Sequence, residues 1–84
     1  MNSDEIRGHI QAIVDRILRQ KGLDPVLLTK ETRFLGGHVP IDSLDLAVLL
    51  TELEKVTGVD PFKYGFRNFL TVDELAGLYM DGKK

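Results

Sequence analysis

The chain has 84 residues, a formal net charge of −2, 43% hydrophobic and 29% charged residues, and no cysteine. That length fits one domain in which folding hides only about 60% of the surface the unfolded chain exposes, so the core is thin and a deep private active site is hard to build. The composition is too apolar for a disordered chain, the lack of cysteine excludes a disulfide framework or thiolate metal site, and the mild acidity argues against the basic face that nucleic-acid binding needs.

Ile6, Ile10, Ile13, Val14, Ile17 and Leu18 recur at spacings of three and four and predict a first amphipathic helix. Asn2 or Ser3 can cap its start, Asp4 and Glu5 suit its first turn, and Gly22 is a C-terminal stop with Leu23 able to fold back. Asp24-Pro25 then turns the chain. Residues 23–42 form a long connection whose Val26, Leu27, Leu28, Phe34 and Leu35 can pin it down, while Gly36-Gly37 and Pro40 oppose regular structure.

A second helix is expected from Ser43 to Thr57, stopping at Gly58. A core stripe of Leu46, Leu49, Leu50, Leu53 and Val56 or Thr57 uses most of its apolar residues and leaves Leu44, Val48 and Ala47 surplus to packing. Asp60-Pro61 opens a short helical turn through about Tyr64, broken by Gly65. Thr71-Val72-Asp73-Glu74 matches a capping box, and Val72, Leu75, Leu78 and Tyr79 form the buried side of a last helix, with a flexible tail at about 81–84. The expected architecture is all-α: one domain over 1–84, three main helices plus one short one, and a long loop between helices one and two.

Catalysis and metal binding find little support. Ser43 and His38 are five residues apart, but a serine hydrolase also needs a held base and oxyanion donors in a cleft. His9 and His38 match no metal-ligand spacing, and residues 42–54 lack the central glycine of a calcium loop. The longest apolar run, residues 46–50, is too short to span a membrane, and an N-terminus carrying Asp4 and Glu5 does not read as a secretory signal. A cytoplasmic monomer without enzymatic activity is expected. Charge is uneven: Asp42, Asp45, Glu52 and Glu54 lie together without Lys or Arg, which describes either a solvated face or a docking surface.

Ser43, in the stretch IDSLDLAVLL, raises a choice. Serine is a good N-cap and Asp42 could do the same job, so local reasoning leaves a capping serine and a modified one equally open. The triplet Asp42-Ser43-Leu44, followed by Asp45 and then Leu49, Leu50, Leu53, Glu54 and Gly58, resembles the second helix of acyl and peptidyl (aminoacyl) carrier proteins. The likeness extends to the first amphipathic helix, the loop with Thr32 and Phe34, a short third helix and the last helix introduced by LTVDELAGLY.

The resemblance implies a carrier-protein bundle in which Ser43, within the motif of Asp42 and Leu44, receives 4′-phosphopantetheine from coenzyme A. An acyl or aminoacyl group would then ride on the arm as a thioester. Implied partners are a phosphopantetheinyl transferase, a loading ligase and downstream biosynthetic enzymes, docking on Leu44, Asp45, Ala47, Val48 and Glu52; neither nucleic acid nor membrane is implied. The approach FLGGHVPIDSL departs from common fatty-acid carriers in Pro40-Ile41 and about one extra loop residue. Val48 and Lys55 stand where acidic residues are usual. These departures point to a dedicated carrier for an amino acid or a specialised pathway. The competing expectation is a small helical adaptor that binds a partner through Leu44, Ala47 and Val48, with Ser43 only a cap.

Overall fold

The computed structural model describes residues 2–35, 39–63, 65 and 68–81, Asp81 by its backbone alone. Among them lie three helices, α1 (Ser3–Gln20), α2 (Ser43–Thr57) and α3 (Val72–Asp81), and no strand beyond an isolated antiparallel bridge between Arg33 and Thr71. α1 packs against both other helices. The radius of gyration, 12.0 Å, is that of a compact domain of this length.

Local chemistry explains each boundary. Asn2 caps α1 by accepting from the Glu5 amide at 2.9 Å, and Glu5 answers on the Asn2 amide at 3.1 Å. At the far end Gly22 turns left-handed, φ 76°. The Gly22 and Leu23 amides reach back to the Arg19 and Leu18 carbonyls at 3.0 and 2.8 Å, which is a Schellman stop. α2 closes in the same hand at Gly58, φ 71°. Thr71 and Glu74 form the expected capping box before α3, with their backbone amides and side chains exchanging bonds of 3.2 Å.

All six predicted residues of the α1 stripe are buried, as are Val72, Leu75, Leu78 and Tyr79 of α3, joined by Ala76. From α2 only Leu49 and Leu53 are buried, with Leu46 and Leu50 packed partly against the core. Val56 is exposed and Thr57 takes the inward place, its hydroxyl donating to the Leu53 carbonyl at 2.7 Å. Phe34, Val39, Ile41 and Val59 complete the core from the connections.

Long-range hydrogen bonds fasten the connection from α1 to α2. The Gln11 side chain donates to the Val26 carbonyl and accepts from the Leu28 amide, both at 2.8 Å. The Phe34, Val72 and Asp73 amides bond the Leu70, Thr32 and Lys30 carbonyls at 2.9–3.1 Å, tying residues 30–34 to the start of α3. Val26 and Leu28 are partly buried as expected, whereas Leu27 and Leu35 point outward. Gly36, Gly37 and His38 lie outside the described residues, as do 82–84 of the expected tail.

Where the short helical turn is expected after Asp60, the described residues show a turn over 61–63. The Asp60 carboxylate accepts from the Phe62 amide at 3.1 Å, across Pro61, and its carbonyl from the Lys63 amide at 3.3 Å. An aspartate oxygen that accepts from the amide two residues on serves a turn and a helix start alike. Tyr64 is outside the described residues, and Gly65 follows at φ 134°. Phe62, Phe69, Phe34 and Tyr79 make edge and tilted ring contacts with centroids 5.8–6.5 Å apart, anchoring this connection to α3.

Candidate functional site

The start of α2 separates the two roles that sequence leaves open for Ser43. Asp42 is the N-cap: its carboxylate accepts from the Asp45 amide at 2.9 Å, and the Asp45 carboxylate accepts from the Asp42 amide at 3.3 Å. Ser43 is the first residue inside the helix and is exposed. Among the described residues its hydroxyl has no hydrogen-bond partner. The capping that could have explained the serine is performed by its neighbour. What remains is an accessible hydroxyl at a helix N-terminus, where free N–H groups and the helix dipole favour an anionic substituent.

The residues around it divide by face. Leu44, Ala47 and Val48 are exposed, Leu44 by 73% and Val48 by 43%. With Thr51, whose hydroxyl donates to the Ala47 carbonyl at 3.0 Å, they lie at the spacing of one helical face. The opposite face carries Leu46, Leu49, Leu50 and Leu53 into the core. The apolar surplus read from the sequence is therefore a real surface, beginning one residue beyond Ser43.

The acidic residues are less free than their clustering in sequence suggests. The Asp45 side chain is 19% exposed and accepts from the Lys21 ammonium at 2.5 Å, and Lys21 also donates to the Pro40 carbonyl at 3.2 Å. The hydrogen bond from Lys21 holds the Asp45 carboxyl below its usual range, and the bond to Asp45 raises Lys21. Glu52 is 28% exposed and lies 3.5 Å from Arg16 and 3.8 Å from Lys55. Of the two predicted docking carboxylates, then, Asp45 fastens the helix start to α1 and Glu52 is shared with two cations; Asp42, of the motif, caps.

Nothing in the spacing of the sequence singles out Lys21 for this role. It lies 24 positions from Asp45, and the contact is created by tertiary packing alone. Among the described residues no group of histidines and carboxylates could hold a metal ion, and no helix is long and apolar enough to cross a membrane. His9 is half-buried on α1, and His38 lies outside the described residues.

Compared with protein-family models and with curated proteins, the chain matches none.

Proposed function

We propose that this chain is a carrier protein, not an enzyme, holding an acyl or aminoacyl intermediate as a thioester on a phosphopantetheine arm attached to Ser43. The observation that carries the reading is the Ser43 hydroxyl itself: exposed, relieved of capping by Asp42, and adjoining an exposed apolar face. The group fits this position, since a transferase must reach the hydroxyl and a phosphodiester there would meet open N–H groups of the first turn. In the attachment the Ser43 oxygen would lose its proton and bond the phosphorus, while the nucleotide portion of coenzyme A leaves. Once bound, the arm supplies a terminal thiol, so that a chain without cysteine gains one thioester-forming group with no rival thiol of its own.

The finer architecture of this reading is a carrier bundle with a long loop before α2 and a short additional helix after it, acting in the cytoplasm as a monomer. Its partners would be a phosphopantetheinyl transferase, a loading ligase and later enzymes of a dedicated amino-acid or specialised pathway. Tethering the intermediate raises its effective concentration at each docked enzyme. Leu44, Ala47 and Val48 would form the apolar contact, supported by the acidic rim. Val48→Glu should slow loading by the dedicated ligase while circular dichroism stays unchanged; unaltered loading rates across a range of salt would remove this face from the account.

The exposed Leu44 and Val48 also favour a second reading, a helical adaptor without a prosthetic group. Intact-mass measurement after incubation with coenzyme A and a broad-specificity phosphopantetheinyl transferase separates the two. A gain of one arm supports the carrier, and an unchanged mass supports the adaptor.

A further inference from the structure

One ammonium group fastens both sides of the candidate serine. Lys21, the C-cap of α1, donates to the Pro40 carbonyl three residues before Ser43 and to the Asp45 carboxylate two residues after it. Asp45 is at the same time half of the capping box with Asp42. Lys21 thereby converts a local cap into a cross-link between α1 and the first turn of α2. It also offsets one of the two carboxylates flanking a hydroxyl whose proposed reaction brings in an anionic donor.

We infer that Lys21 is a positioning residue for modification of Ser43: through Pro40 and Asp45 it fixes the turn that presents the hydroxyl, and it lowers the local negative charge met by the incoming phosphate. The inference rests on the carrier reading. Its physical content is that both effects act within the docked complex. A small misplacement of a reacting group costs rate even when affinity is intact. A charge left unpaired beside a developing phosphodiester opposes the same step.

A merely structural role predicts something different. If Lys21 only helped the chain fold, its loss would reduce the fraction of competent molecules, raising the apparent half-saturation concentration and leaving the saturated rate unchanged. The test is the single-turnover rate of phosphopantetheine transfer from coenzyme A, with the transferase in excess and its concentration varied, on the wild-type chain and on Lys21→Met, Lys21→Arg and Asp45→Asn.

The saturated rate should fall about tenfold in Lys21→Met, with half-saturation within about twofold of wild type, as expected when a transition-state interaction is lost rather than uniform binding. Lys21→Arg keeps the charge and both donors and should recover most of the rate. Asp45→Asn breaks the cross-link but also removes the carboxylate that Lys21 offsets, so it should slow the step less than Lys21→Met. Combining the two should cost no more than Lys21→Met alone, because both changes remove one interaction. Equal saturated rates for wild type, Lys21→Met and Asp45→Asn overturn the inference, as does a change confined to half-saturation. Should Lys21→Met not fold, Asp45→Asn and Lys21→Arg decide the question alone. If the wild-type chain gains no arm at all, it is the carrier reading that fails, a result distinct from unequal rates.

Discussion

α1 and α2 are both amphipathic by sequence, yet they use their apolar residues differently. α1 commits Ile6, Ile10, Ile13, Val14, Ile17 and Leu18, all its large apolar residues, to the core. α2 buries only Leu49 and Leu53 and leaves Leu44, Val48 and Val56 exposed, beside a serine at its start that has no partner among the described residues. A small domain gains stability chiefly from apolar burial, and the apolar residues on the outer face of α2 contribute little of it. Side chains on α1 hold the structure; those on the outer face of α2 are available to something else.

The sharpest way to break this contrast is to truncate a leucine from each helix. Leu18→Ala on α1 removes a fully buried side chain and should cost about 2–5 kcal/mol in chemical denaturation, a large part of the roughly 5–15 kcal/mol available to a domain. Leu44→Ala on α2 should change stability by no more than about 0.5 kcal/mol, as at surface positions generally. Similar losses for the two would mean that Leu44 is structural after all.

The next effect is smaller and concerns the two residues that sequence alone does not separate. Asp42→Ala removes the N-cap of α2 and should cost about 1 kcal/mol. Ser43→Ala removes an exposed hydroxyl that does no capping and should fall within about 0.5 kcal/mol of wild type. Urea midpoints in the reverse order would return the serine to a capping role.

Smallest is a pH effect at the cross-link. Lys21 lowers the Asp45 carboxyl below its ordinary 3.8, so this contribution to stability is present above pH 3.8 and is lost as pH falls through the lower native value. Lys21 itself is raised above 10.5, so its contribution holds below that pH and is lost only at more alkaline values. At neutral pH both are intact. Urea midpoints followed below pH 3.8 should show an acid-dependent loss in wild type that is reduced in Lys21→Met; parallel acid limbs would mean that the pair does not couple to folding.

Features written in short-range spacing are legible in the sequence itself. The α1 stripe, the Gly22 and Gly58 stops, the Thr71–Glu74 capping box and the surplus of Leu44 and Val48 each depend on residues a few positions apart. The Asp42–Ser43 ambiguity does not yield to spacing, because both residues are competent caps and only the backbone decides which lies outside the helix. The Gln11 clamp on residues 26–28 and the Lys21 bridge to Pro40 and Asp45 are equally invisible there. Each joins residues 15 to 24 positions apart, and a glutamine or lysine on a helix carries no local sign of its distant partner. The segment after Asp60 reads as a short helical turn in sequence because proline suits both a helix start and a turn, and the Asp60 bond to the Phe62 amide is common to the two.

The central claim, that Ser43 is free because it is an attachment point, is tested most directly by locating the added group. Wild-type chain and Ser43→Ala are incubated with coenzyme A and a phosphopantetheinyl transferase, then digested and fragmented in the mass spectrometer. The account predicts one arm on Ser43 of the wild-type chain and none on Ser43→Ala. An arm found on Ser3, or one that persists in Ser43→Ala, would contradict it.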